Sequence, residues 1–358
     1  MDEIFNCDCI DGMRELPAES VDAIVTDPPY GLNFMGKDWD HGVPGEQFWS
    51  EALRVAKPGA YLLSFGGTRT YHRLACAIED SGWEIRDCLG WLYGSGFPKS
   101  MDVSKAIDKS LGAERSTVRI DAKKVRNPKS INSGHGVDGG DRPWMQLARE
   151  QGFYEKPGDI PVSEAAKKWK GWGTALKPAW EPIIMARKPF KGTVAACVLA
   201  HGTGAINIDA CRVGTENMSS QFDRTWKQDN SFGNGKRASR GKIVPDGRFP
   251  ANIIHDGSDE ATAPMGNASR FFYCAKASKK ERGEGNVHPT VKPQALMQYL
   301  IKLVTTEGAV VLDPFLGSGS TAVAAMATGR HYLGYELSPE YFEIARARLD
   351  VAKMEDTL

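Results

Sequence analysis

Val310-Val-Leu-Asp313-Pro-Phe315-Leu-Gly317-Ser-Gly319-Ser-Thr-Ala322 is the stretch on which the fold turns. Ala309 to Leu312 is short and apolar and reads as a buried strand, while Ser320 to Thr328 is an alanine-rich helix. The glycines between them let a ligand approach the backbone at a helix start, where unpaired N–H groups converge. Downstream, His331 to Tyr335 reads as the next strand, ending at Glu336. Ser338 then stands as an N-cap before Pro339, and Tyr341 to Leu349 continues that helix. Upstream, Pro293 to Thr306 has the spacing of an amphipathic helix.

The same grammar occurs at the other end of the chain. Val21 to Thr26 (VDAIVT) is a strand stopped by Asp27 and two prolines, which no strand interior tolerates. Glu46 to Lys57 carries apolar residues at helical spacing and is ended by Pro58-Gly59; Ala60 to Phe65 reads as a buried strand, Thr68 to Asp80 as a helix and Trp83 to Tyr93 as a longer strand or a pair of strands. Alternation of this kind marks a largely parallel sheet. Neither end supplies enough strands alone, so the two must combine into one doubly wound, mostly parallel α/β sheet. The expected organisation is a first half over 1–94, an insertion over 95–250 and a second half over 251–358.

Composition bounds what such a chain can do. At 358 residues with 41% hydrophobic side chains it can bury an ordinary core. No apolar run is long enough for a membrane span and no leader pattern opens the chain, so the expected compartment is cytoplasmic. The seven cysteines have no zinc-like spacing, and free thiols with no structural metal are expected. The net charge is zero, yet residues 95–250 hold roughly 27 Lys and Arg against 16 Asp and Glu, so a basic middle lies between acidic flanks. Trp144, Trp169, Trp172, Trp180 and Trp226 are scattered through that basic segment, and Lys167, Lys168 and Lys170 cluster within it. Such a mixture suits phosphate contacts with stacking, the footprint of a nucleic-acid binder. Lys276, Lys279, Lys280 and Arg282 read as a solvated face. Its irregular parts, Asn127 to Gly140 and Asp229 to Gly241, are rich in Gly, Ser, Asn and Lys.

Two constellations carry chemistry. Gly317, Gly319 and Ala322, with Glu336 at the next strand end, satisfy a dinucleotide pattern, so a nicotinamide-dependent oxidoreductase is one reading. Asp313 argues against it, because a carboxylate facing the glycine loop repels a pyrophosphate but attracts the cationic ammonium and sulfonium of S-adenosylmethionine. Asp27-Pro28-Pro29-Tyr30 is the second constellation, again at a strand end. A base's exocyclic amino group is a poor nucleophile because its lone pair is delocalised. The Asp27 carboxylate and the Pro28 carbonyl, aimed by proline-fixed backbone, could accept its two N–H bonds and turn the lone pair toward a methyl group. Tyr30 offers a ring on which an extruded base can stack. A DNA-binding protein without turnover would not need this set.

With both constellations quoted, the chain resembles the β-class amino-methyltransferases of DNA, the adenine-N6 and cytosine-N4 family, over residues 1–94 and 285–350. Order is the telling part: catalytic tetrapeptide, variable target-recognition region, then the cofactor loop with Phe315, Gly317 and Gly319. The resemblance implies that Asp8 and Cys9 line the cofactor's adenine pocket, although Cys7 stands where glycine is frequent. It implies that Thr290 and Lys292, within His288-Pro-Thr290-Val-Lys292-Pro293, help hold the methionyl carboxylate. It also implies double-stranded DNA as partner, and it admits a homodimer and a cognate restriction enzyme. An aspartate heading the tetrapeptide leans toward adenine-N6; cytosine-N4 is the alternative.

Overall fold

The computed structural model describes residues 2–32, 42–94, 96, 100–121, 151–214, 247–274 and 291–356. Asn127 to Gly140, Asp229 to Gly241, Trp144, Trp226, Thr290 and the basic run from Lys276 to Arg282 lie outside the described residues. The chain divides into two compact units, Met1–Ser95 with Ala179–Leu358, and Gly96–Pro178.

Eleven strands are described: β1 (Asp2–Phe5), β2 (Val21–Thr26), β3 (Ala56–Phe65), β4 (Glu84–Leu92), β5 (Thr117–Asp121), β6 (Phe153–Pro157), β7 (Trp180–Arg187), β8 (Ile253–His255), β9 (Tyr273–Cys274), β10 (Val310–Asp313) and β11 (His331–Tyr335). The α-helices are α1 (Cys9–Arg14), α2 (Glu46–Val55), α3 (Tyr71–Asp80), α4 (Val103–Ser110), α5 (Glu164–Lys168), α6 (Val194–His201), α7 (Asp259–Thr262), α8 (Gln294–Val304), α9 (Ser320–Met326) and α10 (Pro339–Asp356). Nine strands form one sheet in the order β1-β11-β10-β2-β3-β7-β4-β8-β9. Its neighbours run parallel except at β7, which is antiparallel to both β3 and β4. This is the doubly wound α/β architecture.

The sequence of β2 shows why the sheet is covered on both sides. Ala23 and Val25 face a cluster that includes Leu296 and Leu300 of α8, whereas Ile24 faces one with Trp49 of α2 and Leu74 of α3. All of these side chains are fully buried. Each buried leucine or isoleucine stabilises by roughly 1.5–3 kcal/mol, so both helical layers are held by burial. From β10 the chain winds through α9 to β11, and from β2 through α2 to β3, in opposite directions along the sheet. Such a reversal leaves a crevice outside the carboxyl ends of the two central strands. Here Thr26 Oγ1 donates to Asp313 Oδ1 at 2.6 Å, tying those ends together across 287 positions of sequence.

Two features differ from the sequence reading. Pro58-Gly59 was expected to end a helix, but α2 stops at Val55 and β3 begins at Ala56. The pairing of β2 with β3 shifts register between Val21 and Ala23, and Gly59 with φ of +78° absorbs the irregularity. The second difference is β7, which lies within the segment read as an insertion over 95–250 yet forms a central strand. Pro182 to Ala186 is buried without a break, so no alternation marks it, and Pro182 itself reads against a strand.

The unit Gly96–Pro178 contains α4, the antiparallel pair β5–β6 and α5. Asp108 of α4 is its anchor. Buried beside Arg115 (Nε to Oδ2, 2.7 Å), it accepts hydrogen bonds from the backbone N–H groups of Val162 and Ser163, both at 3.0 Å.

In the first unit, Gly12 of α1 faces the ring of Tyr335 so closely that a Cβ would overlap it. Alanine favours a helix over glycine by about 1 kcal/mol, but overpacking a rigid ring costs about 1–3 kcal/mol. Gly12→Ala is therefore expected to destabilise the fold, read as a lowered denaturation midpoint.

Candidate active site

The crevice between β10 and β2 opens into a cavity of about 660 Å³. One wall is the glycine loop. Asp313 ends β10 and is 3% exposed; besides Thr26, it accepts from Thr321 Oγ1 at 2.6 Å and from the Phe315 N–H at 3.1 Å. Burial raises the Asp313 carboxyl from 3.8 to about 6 in spite of these hydrogen bonds, and the nearby Asp27 adds to the rise. Gly317 and Gly319 adopt φ of +55° and +79°. Gly319 caps α9, and a Cβ there would press on Ala345 Cβ at 3.1 Å. Gly317 lines the cavity; Gly319 shapes the turn behind it.

Glu336 closes the loop from β11. Its carboxylate accepts the Gly317 N–H at 2.8 Å and the Ser338 N–H at 2.8 Å, while burial raises its pKa. Asp8 and Cys9 reach the same cavity from the start of α1. Asp8 is the N-cap, Oδ1 accepting from the Ile10 N–H at 2.8 Å. Burial, reinforced by the Asp8 charge, pushes the Cys9 thiol up to about 12, so it stays protonated at neutral pH. Phe315 tilts against Phe48 and Trp49 with ring centroids 5.7 and 6.2 Å apart.

Asp27-Pro28-Pro29-Tyr30 follows β2, and all four residues line the same cavity. Tyr30 Oη donates to Asp27 Oδ1 at 2.7 Å, and Thr70 Oγ1 donates to the Tyr30 carbonyl at 2.6 Å. Lys292, immediately before α8, is buried with its ammonium 2.7 Å from Asp27 Oδ2 and 3.2 Å from Glu181 Oε2. Burial opposes that charge, but the two carboxylates outweigh it and raise the Lys292 pKa. Burial and the same two carboxylates push the Tyr30 phenol well above its ordinary value.

Asp27, Tyr30, Lys292, Asp313, Phe315, Gly317 and Glu336, drawn from both ends of the chain, thus share one cavity. Lys292, which the resemblance sets on a carboxylate of the cofactor, is engaged by two carboxylates of the protein itself. Glu181 was missed in the sequence. It follows Trp180 in a segment with no alternation and no motif, and no signal short of the fold marks it.

The sequence profile described as DNA methylase, covering N6 and N4 methyltransferases, matches residues 21–347. The chain belongs to the N6/N4 DNA methylase family. It is accordingly an S-adenosylmethionine-dependent DNA methyltransferase, and the oxidoreductase reading falls away. The Type II methyltransferase M.HindIII of Haemophilus influenzae is 25% identical over 99% of this chain and 96% of its own length. The DNA adenine methyltransferase YhdJ of Escherichia coli (strain K12) is 46% identical over 18% of this chain and 22% of its own length. Among solved structures, the M1.HpyAVI–SAM complex aligns over 98% of this chain and 100% of that one, with 17% identity and a TM-score of 0.46. Among the described residues no helix is long and apolar enough to cross a membrane.

Asp313 has a measurable signature. Because its folded pKa of about 6 exceeds the ordinary 3.8, the folded protein binds a proton that the unfolded chain does not between those values. Stability of the ligand-free protein relative to Asp313→Asn is therefore expected to rise as pH falls from 7 to 4, by up to about 3 kcal/mol. Urea unfolding of both proteins at the two pH values reads the difference.

Proposed function

We propose that this methyltransferase modifies the N6 amino group of adenine in double-stranded DNA, with Asp27, Pro28, Pro29 and Tyr30 at the acceptor end of the cavity. The observation that carries the assignment of roles is that this tetrapeptide and the glycine loop line one and the same cavity of about 660 Å³, in the size range of a site for a small cofactor.

The chemistry of the lining fits the methyl donor. Asp313 sets a buried carboxylate where a cationic ligand is favoured, Glu336 offers an acceptor for ribose hydroxyls, Asp8 and Cys9 line the end assigned to adenine, and Phe315 supplies apolar surface. Gly317 presents bare backbone to the cavity and Gly319 shapes the turn behind it; Thr290, outside the described residues, is assigned to the methionyl carboxylate by the family resemblance alone. When bound, S-adenosylmethionine supplies an electrophilic methyl group on a sulfonium. Asp27 accepts one N–H of the amino group through a lone pair that Tyr30 and Lys292 leave unused, and the Pro28 carbonyl accepts the other. Tyr30, its hydroxyl fixed on Asp27, presents its ring to the extruded base. Lys292 is assigned to this acceptor end because its ammonium is already held there. The aspartate heading the tetrapeptide supports adenine over cytosine, by the family resemblance.

Recognition of DNA is assigned to the basic middle of the chain. Trp169 and Trp172 stand 39% and 60% exposed with ring centroids 4.9 Å apart, beside the exposed Lys167, Lys168 and Lys170. Neutralising these three lysines is expected to weaken binding and to flatten the slope of log affinity against log salt by about 0.9 for each phosphate they neutralise in the wild-type protein. An unchanged slope, measured by fluorescence anisotropy, places the cluster off the DNA.

The decisive assay incubates the protein with methyl-labelled S-adenosylmethionine and mixed-sequence duplex, then separates the nucleosides. Label is expected in N6-methyladenine and should fall at least about a hundredfold in Asp27→Ala. Label in N4-methylcytosine would reassign the base, and label that survives Asp27→Ala would reassign the centre.

A further inference from the structure

Asp27, Tyr30, Glu181 and Lys292 form one hydrogen-bonded cluster, and its charges do not cancel. Lys292 is shared between Asp27 at 2.7 Å and Glu181 at 3.2 Å, and Tyr30 Oη lies 2.7 Å from Asp27 and 3.4 Å from Glu181. The ammonium also sits over the Phe65 ring, 4.7 Å from its centroid. Two carboxylates and one ammonium leave one negative charge beside the cavity, where Lys292 is 6% exposed and water screens little.

We propose that Glu181 is a positioning residue which, by taking a share of Lys292, keeps the acceptor end of the site at one net negative charge. This rests on the reading of the cavity as the methyl-transfer site. During transfer the amino lone pair forms the new N–C bond while the C–S bond breaks, its electron pair remaining on sulfur. The positive charge lost by sulfur appears on nitrogen until one of its protons passes to the Asp27 carboxylate and then to water. With Asp27 and Lys292 alone, the ion pair carries no net charge and offers that migrating cation only the local dipole of the Asp27 carboxylate. Glu181 restores the charge that Lys292 removes. Lys292 in turn holds Asp27 in a fixed orientation without leaving two carboxylates to repel each other.

Binding without DNA separates this role from simple bracing. S-adenosylmethionine and its demethylated product S-adenosylhomocysteine differ by one positive charge at sulfur, so the ratio of their affinities by calorimetry reports the charge of the centre. Glu181→Gln is expected to lower the preference for the cation roughly five- to tenfold, and Lys292→Met, measured at a pH high enough to keep both carboxylates ionised, to raise it. The double variant returns the cluster to one negative charge and is expected to show the wild-type ratio. Glu181→Asp, which keeps the charge, should hold the ratio and recover most of the kcat lost in Glu181→Gln, with the KM for DNA little changed. Should Glu181→Gln alone fail to fold, Lys292→Met and the double variant, which differ only in the charge at position 181, still test the sign. A ratio indifferent to both charges, or a double variant worse than either single one, overturns the role of Glu181. Wild-type protein that binds neither ligand would overturn the reading of the cavity itself.

Discussion

The bond from Thr26 to Asp313 joins the last residues of two parallel strands that the chain makes at opposite ends, and the site depends on that joint. Both groups are buried, so the carboxylate needs its donors: Thr26 on one strand, Thr321 and the Phe315 N–H on the loop it commands. Pairing β2 with β10 sets the first half of the chain against the last and opens a crevice where the windings diverge. Without that pairing, Asp27 and the glycine loop would belong to separate pieces.

Electrostatically the cavity has two ends. At the loop, the buried Asp313 and the half-buried Glu336 are carboxylates whose pKa values are raised by desolvation and whose oxygens hold backbone and hydroxyl donors in place. At the tetrapeptide, burial acts on an ammonium instead, and two carboxylates are needed to keep it charged. The cost of burying Lys292 is offset by interactions that also fix Asp27 and Tyr30, so orientation and charge arise from the same contacts.

The one antiparallel strand described in the nine-stranded sheet explains how Glu181 arrives. Parallel strands deliver residues to the crevice from their carboxyl ends, as β2 delivers Asp27 and β10 delivers Asp313. A strand of opposite direction delivers them from its beginning, and Glu181 is the second residue of β7, opposite Trp91 near the end of β4. The reversal of β7 between β3 and β4 thus adds an acidic group that none of the parallel strands provides.

Much of this was legible in the chain itself. Val21–Thr26 and His331–Tyr335 form strands with the bounds read from sequence, because a β-branched or aromatic apolar run with proline or a polar cap at its end leaves few alternatives. The strand, glycine loop and helix around Asp313 were equally explicit, since positive φ at Gly317 and Gly319 is a demand that composition displays. By contrast β1, β7, β8 and β9 carry too little periodicity to be found locally. β1 is four residues at a sheet edge, β8 and β9 are shorter still, and β7 is buried on both faces. Sequence determined which residue types could perform the chemistry and in what order they occur, because those are local properties of side chains and backbone. Only the tertiary structure decided that Lys292 binds Asp27 rather than standing apart from it, and that Glu181 completes the pair, because the first depends on α8 packing against β2 and the second on the antiparallel direction of β7, both set by contacts between distant parts of the chain.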